Sequence, residues 1–508
     1  MSIGFLAAAS EVSLWPLAVL VISVTFVVLM ISVVRAHAFL ALILAAILAG
    51  VMAEQLPGAK PRVPKPDSPV VATDGKPLRN HWVQAVELTS VEFGRTAGGI
   101  AIVIGLATII SMCLMESGAA DKVVRRFIGF FGEKNAGVAL LLSTYILSVP
   151  IFFDTMFMLM VPLARALRLR TGKDYLLYVM AVCCGGVITH SMTVPHPGPL
   201  AMVENLKIDV GVSILAGIAV GLFPLAVGWF VCKWLNAHMD VPMRETPGTT
   251  LAELRSIVDK PESELPSFFW AITPVILPIF LISLSSFMII GKDNEAFVKL
   301  LGGRESFAST FAAIEFIGNK NVALLIGTLV SMFVLARQKG FSVAKICELI
   351  GPPLETSGTI ILITAAGGAF GLMLRNAGVG EAIKAAASGH ALNMIWLSYL
   401  VAVVIRVAQG SATVAMLTTS AMMYPIISGG TGLPYDPIYI FLAIGFGGFA
   451  LSWMNDSGFW VVSKLGGLTE GETLKTWSVL LTVNSVVGVL ATWILSMLFP
   501  FPLGKPGP

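Results

Sequence analysis

THSMTVPHPGP, residues Thr189–Pro199, interrupts an otherwise apolar run from Tyr175 to Lys207. Within lipid every backbone polar group needs a partner, so a helix breaks only where protein or a water-filled cavity covers the break. Polar side chains at that depth are costly and are read by default as functional. The break, with its two histidines, hydroxyls and Pro-Gly-Pro turn, is therefore expected to form half of a solute site.

The rest of the chain says what surrounds the break. Its 508 residues are 56% hydrophobic and 12% charged, against about a quarter charged in soluble domains. Mean hydropathy is +0.85. Apolar stretches of about 20 residues recur from Ser13 to Phe499, which predicts an all-α polytopic membrane protein in contact with the lipid bilayer. A transmembrane β-barrel would show short alternating segments instead. The net charge of +3 is spread over loops and gives no support for nucleic-acid binding. The five cysteines lack metal-ligand spacing, and Cys183-Cys184 reads as a small packing surface. The first apolar run is too long for a signal-peptide core and reads as a retained span.

Simple spans are expected at Ser13–Val34, His37–Ala53, Ala97–Met115, Val210–Leu235, Phe268–Ile290, Val322–Ala336, Ser357–Leu374 and Thr473–Phe499. Glu54–Arg95 reads as a polar extramembrane loop. A mixed-charge loop is expected between the spans ending at Ile290 and beginning at Val322. Lys122–Phe131 has the pattern of a helix lying in the interface plane. Two runs, Asn135–Leu167 and Ala391–Ile427, are too long for one crossing. Pro150 and Asp154 divide the first, and Gln409-Gly410-Ser411 divides the second, so both read as re-entrant hairpins. Tyr435–Trp460 is a second broken segment, interrupted at Asn455-Asp456-Ser457-Gly458.

Shifting the chain against itself by about 260 residues aligns Gly118 with Gly378, Gly185 with Gly445, Gly198 with Gly458, Tyr175 with Tyr435, and His196 with Asp456. Placing Arg165–Lys173 and Arg337–Lys345 in the cytoplasm makes the two halves run in opposite senses. The expected architecture is an inverted-repeat secondary transporter with about ten crossings and two hairpins, its site at the midplane. Its parts would be 1–96 (two scaffold spans and the insert), 97–235 (first repeat core), 236–356 (linker and scaffold spans) and 357–508 (second repeat core).

Half-helix N-termini bind anions through unpaired N–H groups and the helix dipole. Gly410, Ser411 and Thr413 suit a carboxylate or sugar hydroxyls, and Thr155, Ser191, His196 and Asn455 join them as candidate substrate-binding residues. Asp154 is a candidate proton carrier, with a helix N-cap as its alternative. Arg406 needs a partner at its depth, either Asp456, Asp154 or a substrate carboxylate. His190 and His196 titrate near neutrality, so either suits proton coupling, a satisfied turn or interhelical histidine being the alternative. Their spacing does not match a zinc-binding HExxH helix.

These motifs resemble the gluconate permease (gluconate:proton symporter) family within the ion transporter superfamily. THSMTVPHPGP, RVAQGSATVAMLTT at Arg406–Thr419 and MNDSGFW at Met454–Trp460 carry the resemblance, with looser matches at Phe152–Leu163 and Ile363–Gly380. It implies a proton-coupled importer of gluconate or a related hydroxylated carboxylate in the bacterial inner membrane. It also implies paired hairpins, a homodimer and elevator-like movement, with no cofactor beyond the proton gradient. The chain departs from the family pattern in three places. Asp154 stands for a glutamate, Arg375-Asn376 for valine-aspartate, and the Glu54–Arg95 insert is long. A sodium-coupled carrier or antiporter of the same fold is the alternative function, and a membrane-embedded hydrolase built on His190, His196 and Asp456 is a more distant one.

Overall fold

Two helices with almost no lipid-facing side lie at the centre of the protein, and the rest is arranged around them. They are the first members of the two broken segments. The computed structural model describes residues 15–60, 78–244, 261–292, 295–301, 303–379, 382, 393–428, 433–454 and 456–500. Asn455 lies outside these residues. The described residues form helices: α1 Trp15–Ser32, α2 Ala38–Met52, α3 His81–Glu116, α4 Ala119–Phe131, α5 Ala136–Leu147, α6 Phe153–Thr171, α7 Tyr175–Met192, α8 Pro197–Leu206, α9 Val210–His238 and α10 Phe268–Gly291. There follow α11 Glu295–Leu300, α12 Gly303–Gly318, α13 Lys320–Lys339, α14 Val343–Asn376, α15 Met394–Gln409, α16 Ala412–Ser428, α17 Ile438–Gly447 and α18 Ser457–Leu465. A short α19, Glu470–Thr473, leads through a π-helical turn at Leu474–Ser478 into α20, Val479–Leu498.

Every residue of α17 is buried, and so is α7 apart from Leu177 and His190. Helices apolar all round belong inside a bundle, and α7 packs against α5, α6, α9 and α17. Close approach is built in at Gly185, where an added Cβ would lie 2.3 Å from the Leu141 carbonyl oxygen. Such small residues are what lets membrane helices pack backbone to backbone.

The repeat persists at the level of element boundaries. With an offset of 260 residues (Asp456 less His196), α3 and α14 end at Glu116 and Asn376. Each is followed two residues on by a left-handed glycine, Gly118 at φ +75° and Gly378 at φ +80°. His196 and Asp456 are both N-caps, as are Asp209 and Thr469. Equivalent helices run antiparallel in space. Thr108 of α3 bonds Ser357 of α14 at 2.6 Å, while Gly368 further along α14 meets the earlier Thr96 of α3. Likewise the Tyr175 hydroxyl, at the start of α7, donates to the Gly466 carbonyl just past α18 at 2.7 Å.

Among the described residues, seven helical stretches are long and apolar enough to cross a membrane, with six shorter apolar helices beside them. The chain is a multi-pass, all-helical membrane protein with a repeated core.

Three expected boundaries are corrected. The polar insert does not last to Arg95, because α3 starts at His81 behind an Asn80 cap that accepts from the Trp82 N–H. His81, Ala85 and Thr89 form a buried stripe on one helical face, and His81 Nε2 bonds the Gly50 carbonyl at 3.0 Å. The expected mixed-charge loop before Val322 contains α11 and α12. Their Val298 and Phe307 pack on Met288, with Phe311 and Ile314 alongside. The span expected from Ser357 starts at Val343, capped by Ser342, and runs through Pro352 and Pro353. Continuous helices thus cross 96/97, 235/236 and 356/357.

Candidate functional site

Both overlong runs break where polar residues interrupt them, giving α5/α6 and α15/α16. Their tips meet the two broken helices around one cavity of about 430 Å³, within the usual size range of small-molecule sites. Its polar wall includes Asp154 and Thr155 from the first tip, Ser411 and Thr413 from the second, and His190, Ser191, Arg406 and Asp456. Phe449, Trp477, Ile360 and Ile363 add an apolar side.

Four helices begin at this cavity: α6, α8, α16 and α18 line it with Phe153, Pro197, Ala412 and Ser457 at or next to their first turns. Each helix start carries the positive end of the dipole and leaves N–H groups without an intrahelical acceptor, although in the first three residues of α8 only Gly198 supplies one, because Pro197 and Pro199 have no N–H. No side chain caps α6, whose N-cap is Phe152, so the N–H groups of its first turn stay available. At α18 Asp456 takes the Gly458 N–H at 3.0 Å. At α16 the Ser411 hydroxyl accepts more weakly from the Val414 N–H at 3.3 Å.

The two buried charges find each other. Arg406 donates through Nη2 to Asp456 and through Nη1 to the Gly410 carbonyl. The pair is almost entirely shielded, with side chains 3% and 10% exposed. Ser452 also donates to Asp456 and in turn accepts from Trp477 Nε1 at 2.6 Å. Asp456 is therefore held by a guanidinium, a hydroxyl and a backbone N–H. Such added bonds help a buried pair repay its desolvation, although Arg406 Nε has no partner among the described residues.

Asp154 differs sharply. It lies in the first turn of α6 rather than at its N-cap, and its side chain is exposed into the cavity. Among the described residues it has no ion-pair or hydrogen-bond partner. With Arg406 and Asp456 cancelling, Asp154 carries the uncompensated carboxyl of the wall.

The histidines separate in role. Their rings lie 4.3 Å apart, and Phe152 packs against both, at 6.4 Å from His190 and 5.6 Å from His196. His190 is on the cavity wall with Nδ1 unbonded, and the buried Ser191 hydroxyl is also without a partner among the described residues. His196 is fully buried and does not line the cavity; its Nε2 bonds the Ser148 carbonyl at 2.5 Å, tying the first hairpin tip to α8. Gly410, likewise off the wall, closes α15 in a left-handed conformation at φ +80°.

Ser452 and Trp477 were not singled out by sequence reasoning. Ser452 lies just before the MNDSGFW motif, so its neighbourhood was visible. Trp477 sits in the π-helical turn, where nothing in the pattern of apolar residues marks it.

Comparison with known proteins agrees with the geometry. Residues 80–498 match the family model of GntP family permeases. The chain is 33% identical over 408 residues to the gluconate permease of Pseudomonas aeruginosa, spanning 80% of this chain and 86% of that protein. It is 31% identical over 398 residues to the Gnt-II system L-idonate transporter of Escherichia coli, spanning 78% and 85%. Its fold is similar to that of the Alcanivorax borkumensis YdaH transporter, with a TM-score of 0.59 at 14% identity, covering 94% of this chain and all of that one. The chain belongs to the GntP family of permeases.

Proposed function

We propose that the protein imports gluconate or a closely related hydroxylated monocarboxylate by proton symport across the bacterial inner membrane. The observation that carries this reading is the meeting of four helix N-termini with one uncompensated carboxyl in a single cavity. The helix starts attract a carboxylate without a fixed cation. The hydroxyls of Thr155, Ser191, Ser411 and Thr413, with His190, are suited to sugar hydroxyls. An ionised Asp154 repels the same anion, so the anion is best held when Asp154 carries a proton. Linkage makes this reciprocal: the anion favours the proton as much as the proton favours the anion.

Moving one proton with one monoanion transfers no net charge. Purified protein in proteoliposomes is expected to accumulate labelled gluconate under an inward proton gradient with the membrane voltage clamped at zero. Accumulation driven by a sodium gradient alone, with pH equal on both sides, would sink the proton reading in favour of a sodium-coupled carrier.

A further inference from the structure

A second polar cavity lies at the far ends of two helices that start at the central one. α8 and α16 pack side by side and run the same way: Gly198 abuts Met416 near their starts, and Asn205 bonds Ser420 at 2.9 Å further along. Their beginnings line the central cavity, and their later residues Asn205, Ala421 and Tyr424 line the second one. The eight residue steps from Pro197 to Asn205 separate the two by about 12 Å at the helical rise.

This second cavity gathers Arg95, Lys207 and Arg375. Two carboxylates also line it, but both are engaged: Glu204 pairs with Lys320, and Glu92 faces Arg95 at 3.7 Å. Lys207 and Arg375 have no carboxylate partner among the described residues. Arg375 lies over the Tyr424 ring, 5.6 Å from its centre. Lys207 closes α8 at φ +57°, a left-handed position where glycine is the cheaper residue, so the lysine side chain is present against a backbone preference. Both cations complement a helix C-terminus, so each keeps its place without a carboxylate and has its charge free for a ligand.

We propose that this cavity is a second anion site, a vestibule in which Lys207, Arg375 and Asn205 hold the substrate's carboxylate before it reaches the central cavity. The inference rests on the transport reading above. With the basic clusters at Arg165–Lys173 and Arg337–Lys345 on the cytoplasmic side, α14 ends outward at Arg375, so the vestibule faces the side from which solute arrives. Three cations against two carboxylates, both of them paired, leave the mouth with an excess of positive charge, and such an excess raises the local concentration of anions.

The test is equilibrium dialysis of the purified full chain with labelled D-gluconate. Wild type is expected to bind two equivalents per chain, and the Lys207→Gln/Arg375→Gln double variant one, with the tighter site unchanged. Raising NaCl to about 0.5 M is expected to remove the weaker site first, because exposed charges are screened within a few ångströms there. One equivalent in both proteins would overturn the vestibule and leave the transport reading standing. No saturable binding to wild type would overturn both. An anionic lipid is the rival source of the same chemistry. If phosphatidylglycerol displaces the second gluconate and copurifies with wild type but not with the double variant, the site is a headgroup site and the vestibule is overturned.

Discussion

The two helix breaks occupy equivalent places yet do different chemistry. At α7/α8 the N-cap is His196, whose ring turns away from its own helix and bonds the Ser148 carbonyl of the hairpin tip. At α17/α18 the N-cap is Asp456, which caps its own helix and takes a guanidinium and a hydroxyl as well. The backbone solution is shared; the first break is fastened by a neutral hydrogen bond and the second by a buried ion pair. The repeat therefore supplies two openings in the bundle, one fastened by the His196–Ser148 bond and the other closed by the Arg406–Asp456 pair. The charge left over, on Asp154, belongs to neither break.

Breaking the ion pair should have the largest effect. Arg406→Gln or Asp456→Asn alone leaves a buried charge without its partner, a loss of about 3–5 kcal/mol. Combining the two removes both charges, so the double variant is expected to recover a substantial part of that stability. Thermal unfolding in detergent, followed by intrinsic tryptophan fluorescence, measures this. Single variants as stable as wild type would mean that the pair does not fasten the second break.

Asp154→Asn sharpens the comparison from the other direction. Its carboxyl has no partner among the described residues, so the variant is expected to fold with unchanged stability and still exchange gluconate down its gradient. Concentrative uptake under a proton gradient should disappear. Undiminished pH-driven accumulation would remove Asp154 from the coupling and turn attention to His190.

Much of this arrangement is legible in the sequence, for identifiable reasons. Arg406 and Asp456 are lone charges in apolar runs, and lipid gives such groups no alternative to pairing. The breaks at Pro150, His196, Gly410 and Asp456 were visible because each puts a turn-forming or polar residue where a span should be uniform. The start of α3 was not visible. In His81–Arg95 the apolar residues Trp82, Val83, Val86 and Val91 are exposed and are interleaved with Gln84, Glu87, Glu92 and Arg95, while the buried stripe of His81, Ala85 and Thr89 is too small and too polar to register as a span. The helix α12 was hidden in the same way by the charges at its ends. Which hairpin tip each break fastens depends on side-chain directions, as with His196 reaching Ser148, and spacing along the chain does not carry these.

The neutral fastening predicts a smaller loss than the ionic one. His196→Ala removes one hydrogen bond and leaves the buried Ser148 carbonyl without that donor, a cost of about 1–3 kcal/mol. The variant should unfold earlier than wild type but later than Arg406→Gln. Finding the opposite order in the same unfolding assay would reverse the roles given to the two breaks.

Ser191 offers the finest test, because it separates the cavity wall from the scaffold. Its hydroxyl is buried, lines the cavity and bonds nothing among the described residues, so Ser191→Ala takes no bond from the protein. Stability should stay the same or rise slightly, since an unpaired buried polar group is lost. If the hydroxyl instead bonds a substrate hydroxyl, the variant forfeits about 0.5–1.5 kcal/mol of binding, roughly a 2- to 10-fold rise in KM at 1.4 kcal/mol per decade. The maximal uptake rate should hold, because a bond kept throughout the cycle affects binding alone. A lower maximal rate with unchanged KM would place Ser191 in the movement of the break rather than in contact with the solute, and the first break would then be mechanical where the second is electrostatic.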